Sequence, residues 1–310
     1  MERDAVKIAL SKLGEGTPSG KVVGPRLGTG GSFAGIFLWD TAFTALWAKY
    51  ALQELPVETS LDNLYRLQDD EGFISREYTA DGAVVWPGHH PISFAPPVLP
   101  WAELDLYKLT GDKARLGRVY PHLKKHHHVC IERFGRSDGL FIGDPWGSGM
   151  DNLPRWPREF AGDGKSLSIQ DEEVHPSVIR WFREAVSGSL GSLWNQQGRY
   201  VDMSAQMAFA ADCLKRIAIL LDAPDDARTY SRQHDAISDA INERCWNAEH
   251  QFYFDLGYDA HIVRFHIGAY WTLIAGVVPE SRLDAFLSHL GNPSRFARPV
   301  PVPSLAATDP

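Results

Sequence analysis

The chain reads as an all-α protein, an (α/α) toroid in which buried inner helices are wrapped by amphipathic outer ones. Three observations predict this. Helical periodicity outweighs strand alternation along most of the sequence. Helices that are apolar on every side take turns with helices that are apolar on one side only. The alternation repeats, so that about four inner–outer pairs are legible in 310 residues.

Residues 35–51 (GIFLWDTAFTALWAKYA) are apolar almost all round, which demands burial on every side, and 57–67 is their outer partner. Residues 98–108 follow a proline-rich loop and are again broadly apolar. They precede 113–134, where Leu116, Val119, Tyr120, Leu123, His127, Cys130 and Phe134 form one stripe. The third pair is 203–221 with 224–245, whose stripe is Ala227, Tyr230, His234, Ile237, Ile241 and Cys245. The fourth is 267–277 with 281–290, striped by Leu283, Phe286, Leu287 and Leu290. Residues 157–200 interrupt the pattern with one extra helix (DEEVHPSVIRWFREAV) in a Gly/Ser-rich excursion, read as a cleft-rim insertion in a single domain spanning 1–310. The tail 291–310 holds five of the 20 prolines and reads as extended linker, because proline fixes φ and removes a donor.

A net charge of −8, with no basic stripe, argues against a nucleic-acid partner. No apolar run approaches membrane-spanning length, and the N-terminus lacks a signal-peptide core. Cys130, Cys213 and Cys245 are odd in number and far apart, which fits a reduced, cytoplasmic protein. Ten Trp in this length serve two readings together, a large core and a carbohydrate cleft lined by rings.

The most informative stretch is GSGMDNLPRW, residues 147–156. Asp151 lies in a glycine-hinged turn, preceded by Trp146 and followed by Asn152, Arg155 and Trp156. Rings desolvate a carboxyl and hold its proton near neutral pH, as protonation of a glycosidic oxygen requires, and they offer flat faces to a sugar. An Asp after Gly also serves as an ordinary turn or cap residue. Asp40, beside Trp39 in an otherwise apolar helix, is costly unless it is paired with an arginine or contacts a ligand. Asp202 and Gln206 are four apart at the start of a buried helix and share a face, where Asp202 also reads as an N-cap.

GSGMDNLPRW resembles the acid motif of the trehalase-like and family 63 glycoside hydrolases, a clan that includes mannosylglycerate hydrolases. FLWDTAFTALWA (37–48), QDDEGFISREY (68–78), PPVLPWAELDLYKLTGD (96–112) and YVDMSAQMAFAADCLKRIA (200–218) follow in the family's order. The likeness covers most of 33–305. Gly147 stands where the family usually has Glu, and Leu153 where it often has Ser, so specificity is expected to differ. The resemblance implies a toroid of six helix pairs, an inverting mechanism with Asp151 as general acid, and no metal or organic cofactor. Trp39, Asp40, Gln68, Arg76, Glu77, Trp146, Asn152, Arg155, Trp156, Asp202 and Gln206 would shape the saccharide site. Arg76 and Glu77 equally fit a surface pair.

An inverting enzyme also needs a base about 6.5–9.5 Å from the acid. In the family it is a Glu from the last helices, so the expectation is a fragment of a longer protein with the base beyond residue 310. The rival is a shortened, non-hydrolytic relative. The expected reaction is hydrolysis of an α-glucosidic or α-mannosidic bond in a small saccharide or glycosylated acid. A toroidal lyase, phosphorylase or epimerase, or a saccharide-binding helical repeat, is the alternative.

Other signals carry less. KKHHHVC (124–130) points its histidines in three directions on a helix and reads as a solvated outer-layer turn rather than a metal site. LGTGGS (27–32) lacks the lysine of a phosphate loop and reads as a flexible approach to the first buried helix. GHH (88–90) reads as loop, Trp101 as core, and Glu103 as a further candidate. Ser166, Ser168 and His175 make no nucleophile elbow.

Overall fold

The computed structural model describes residues 2–30, 33–86, 88–143, 147–150, 153, 198–257, 260–300 and 302–309. After α1 (Glu2–Leu10), a two-residue strand β1 (Ile36–Phe37) leads into α2 (Leu38–Ala48), and α3 (Val57–Arg66) returns beside it. Strand β2 (Glu77–Tyr78) pairs antiparallel with β1, Ile36 opposite Tyr78 and Phe37 opposite Glu77. Then come α4 (Leu99–Thr110) and α5 (Lys113–Phe134). Two sequence devices divide these helices. Gly111, at φ 69°, ends α4 in the left-handed conformation that glycine tolerates best. Asp112 accepts from the Arg115 amide (2.9 Å) and starts α5.

The third pair is α6 (Val201–Leu220) and α7 (Pro224–Arg244), the latter opening on a proline where no amide donor is needed. Short antiparallel pieces follow: β3 (Trp246–Asn247) with β4 (Phe252–Tyr253), and β5 (Asp255–Gly257) with β6 (Ala260–Ile262). A 3-10 turn (Ile267–Tyr270) runs into α8 (Trp271–Ile274), and α9 (Glu280–Ser288) is the final helix among the described residues.

Helix α2 packs on α4, α4 on α6 and α6 on α8, making an inner row; α3, α5 and α7 lie outside α2, α4 and α6. The stripes bury as their periodicity requires. Leu116, Val119, Leu123, Cys130 and Phe134 of α5 face inward, as do Ile237 and Ile241 of α7. Two apolar cores result, one around α2–α4 and the other around α6, α7 and the aromatic residues of 252–306. Among the described residues no helix is long and apolar enough to cross a membrane.

Three expectations change. The helix expected over 267–277 is a 3-10 turn and a single α-turn. The Ile267 amide bonds instead to the Ser304 carbonyl (2.9 Å), and Gly276 (φ 68°) ends the segment. The tail, expected as an extended linker, carries no helix among its described residues and packs back on the fold. Phe296 is fully buried in the second core, and the Ala306 amide bonds to the Phe265 carbonyl (2.8 Å). Of the histidines in KKHHHVC only His128 is solvated, while His126 and His127 are buried. The expected rim insertion lies outside the described residues, apart from 198–200.

Candidate active site

The β1–β2 pair seats the start of α2. The first-turn amide of Leu38 bonds to the Arg76 carbonyl (2.9 Å), so the WD motif and the Arg76–Glu77 pair share one corner. Arg76 lies over the Trp86 ring (4.8 Å) and 4.0 Å from the Glu77 carboxylate, which accepts from the Trp86 indole N–H (2.7 Å). The Arg76 Nε is buried with no hydrogen-bond partner among the described residues. Arg76 and Glu77 thus pair, partly buried, beside the WD helix.

Trp39 reaches the GSGM segment (147–150) directly. Gly149 (φ 72°) presses on its indole so closely that a Cβ there would stand 2.9 Å or less from three ring atoms. From Trp39 a wall of half-buried rings crosses the inner row. Phe43 packs edge-on against Trp39 (5.6 Å) and Trp101 (6.1 Å), and Trp101 meets Phe209 (5.3 Å) and Trp271 (6.5 Å). Asp40, one residue from Trp39, lines a separate small pocket with Gly28, Thr29, Gly35, Thr41 and Thr44. Leu27, Gly28 and Thr29 of the segment read as a flexible approach thus line the pocket with Asp40.

On α6, Asp202 is wholly buried and its Oδ1 accepts from the Met203 amide (2.8 Å). Its other oxygen lies against Gly268, where a Cβ would stand 2.8 Å from Asp202 Oδ2, 2.9 Å from His266 Nδ1 and 3.0 Å from Met150 Cε. Gln206, one turn along, is 2% exposed, and its Oε1 has no partner among the described residues. An orphaned buried acceptor of this kind is expensive unless a ligand or water donates to it. Gly149 against Trp39 and Met150 near Asp202 bring two inner helices to the residues immediately before Asp151. The Leu153 amide bonds to the Met150 carbonyl (3.0 Å). Asp151, Asn152, Trp146, Arg155 and Trp156 themselves lie outside the described residues.

Two candidates are drawn into structural work. Gln68 donates to the Gly72 and His122 carbonyls (2.7 and 2.9 Å), and its oxygen lies 2.6 Å from His122 Nδ1, so its amide closes the loop after α3 and ties it to α5. Glu103 is gripped by Arg115 through two hydrogen bonds (3.0 and 2.8 Å) and by the Tyr65 hydroxyl (2.9 Å). Burial lifts its carboxyl above the usual carboxylate range, against the pull of Arg115. Among the described residues no three His, Cys, Asp or Glu side chains are placed to hold a metal ion.

Sequence reasoning missed His266 and Asp255. Both are buried, with His266 Nε2 lying 3.3 Å from Asp255 Oδ2, while Asp255 Oδ1 accepts from the Val201 amide (2.9 Å). Their sequence signal was a polar residue in each of two otherwise apolar runs, FYFDLG and FHIGAYW.

Paired helices in two layers, with carboxylates and indoles at the N-terminal turns of the inner row, define an α/α protein. Residues 34–310 match the mannosylglycerate hydrolase MGH1-like glycoside hydrolase domain, and the chain belongs to that family. An uncharacterized protein of Borreliella burgdorferi is 22% identical over 272 residues, 87% of this chain. The chain spans about half the length of that relative (49%). The fold is shared with the GH63 mannosylglycerate hydrolase of Thermus thermophilus in complex with Tris, at TM-score 0.75 and 19% identity. That match covers 100% of this chain and 81% of the other. The same Thermus enzyme with Tris and D-glycerate gives TM-score 0.72 and 19% identity over 100% and 81% of the two chains.

Proposed function

We propose that this domain carries the saccharide site and the acid of an inverting α-glycosidase acting on a small saccharide or glycosylated acid. The observation that carries the reading is the bracketing of Asp151's neighbours, Gly149 on Trp39 and Met150 beside Gly268 and Asp202. Asp151 protonates the leaving oxygen as general acid. Trp39 gives a ring face to the sugar, and Asp202 and Gln206 accept from its hydroxyls. Asp40 and Arg76 border the same helix start, and Trp146, Asn152, Arg155 and Trp156 complete the site around the acid. An inverting mechanism also requires a base carboxylate about 6.5–9.5 Å from the acid. The Thermus structures support a glycosylated acid as substrate, since their protein is described as a mannosylglycerate hydrolase and one of them holds D-glycerate.

The test is turnover of α-mannosylglycerate, α-glucosylglycerate and trehalose by the full-length protein and its Asp151→Asn variant. Loss of a general acid costs about 10²- to 10⁴-fold in rate. Asp151→Asn is expected to fall in that range while still binding saccharide. Undiminished turnover by the variant would remove Asp151 from the role.

A further inference from the structure

We propose that His266 and Asp255 are positioning residues for the Asp202 carboxylate, held in place by the proline-rich tail. The assignment rests on the reading that Asp202 belongs to the saccharide site. Asp255 is 2% exposed and uses its two oxygens differently. Oδ1 accepts from the Val201 amide (2.9 Å), satisfying one of the donors that the start of α6 leaves open, and Oδ2 faces His266 Nε2 at 3.3 Å. Val201 is followed directly by Asp202, so the carboxylate that anchors the helix start also sets the backbone from which Asp202 projects.

His266 is wholly buried beside Asp255, with Gly268 separating it from Asp202. Nε2 faces Asp255, and Nδ1 lies against Gly268 on the side where Asp202 Oδ2 also lies. Neither ring nitrogen makes a well-aligned hydrogen bond among the described residues. A histidine buried this way normally has its nitrogens satisfied. Its placement edge-on to one carboxylate and near a second fits a wedge that fixes the orientation of both. Gly268 enforces the spacing, because any side chain there would push Asp202 and His266 apart.

The tail locks the segment that carries the imidazole. The Phe265 amide donates to Asp309 Oδ2 (2.6 Å), Arg264 bonds to the same carboxylate (3.0 Å), and His266 bridges to Leu305 in antiparallel fashion. The Ile267 amide bonds to the Ser304 carbonyl (2.9 Å) and the Ala306 amide to the Phe265 carbonyl (2.8 Å). A segment rich in prolines, with few donors of its own, thus uses its remaining groups to brace the backbone on both sides of His266.

The experiment compares the full-length protein with His266→Phe, His266→Asn and Gly268→Ala by crystal structure, steady-state kinetics on α-mannosylglycerate and urea unfolding. His266→Phe keeps a planar ring and removes both nitrogens, whereas His266→Asn returns a polar atom near Nδ1. Displacing a contact group by about 1 Å costs about 10²-fold in rate. The Asp202 carboxylate is expected to shift by about that distance in His266→Phe and Gly268→Ala. In those two variants kcat should drop about 10²-fold with KM little changed, and His266→Asn should recover about tenfold of the loss. An unmoved Asp202 in both variants overturns the proposal, as does a loss that follows the urea midpoint and that His266→Asn does not relieve. A wild-type protein inactive on every α-glycoside, with Asp202 still displaced in the variants, overturns the hydrolase reading and supports the positioning.

Discussion

Gly149 and Trp39 are locked together: the glycine sits at φ 72° with its open side against the indole, leaving no room for a methyl group. The contact joins the GSGM segment to the first inner helix across 110 residues of sequence. It also explains the residue type twice over, by backbone conformation and by space.

Gly149→Ala is therefore expected to strain both partners. A left-handed backbone costs a residue with a Cβ about 1–2 kcal/mol, and the indole must tilt to admit it. Saccharide affinity should fall by about tenfold, the equivalent of about 1.4 kcal/mol, with a smaller drop in the urea midpoint. Calorimetric titration with D-glycerate or glucose checks it, and unchanged binding would separate Trp39 from the site.

The Glu103–Arg115–Tyr65 cluster is expected to be a stability element. Removing one partner of a buried ion pair costs about 3–5 kcal/mol, because the other charge is stranded. Arg115→Met alone should lower the urea-derived stability by about that much, and Glu103→Leu combined with Arg115→Met should restore most of it. Loss of turnover in Glu103→Gln without loss of stability would return Glu103 to the site.

Stability should fall in mild acid through two outer-layer histidines. Burial holds the His126 imidazole down to about 3 and that of His127 to about 4, from an ordinary value of 6.5. Between those values the unfolded chain binds more protons than the folded one, so stability is complete above about pH 6.5 and lost as pH drops below it. Each histidine contributes about 2 kcal/mol of that loss by pH 5. His126→Asn, which keeps an acceptor for the Ile74 amide now bonded to Nδ1 (3.1 Å), should flatten the pH dependence of the urea midpoint relative to wild type.

Phe296→Ala tests the tail as part of the fold. The ring is fully buried and packs on Tyr270 (5.7 Å) and Phe252 (6.3 Å). Truncating a buried Phe costs about 3–5 kcal/mol, so the thermal midpoint should drop in a single transition. A variant as stable as wild type would mean that the tail is dispensable to the core.

The sequence by itself determined the helices and their two kinds. Burial on all sides or on one side is written in local periodicity, and α2, α3, α4, α5, α6 and α7 fall within a few residues of where that periodicity placed them. It also marked Trp39, Asp202 and Gln206, because a charge or amide in an apolar helix stands out in one dimension. Only the tertiary structure decided which of these meet. Trp39 and Gly149 are brought together by packing, whereas Gln68 is drawn to α5 by His122, 54 residues away, and Glu103 by Arg115. The pairing of Asp255 with His266 links two short segments, neither of which signals the other. The proline-rich tail shows the same limit: its composition excludes a helix, but only the backbone of 265–267 supplies the donors and acceptors that fold it back.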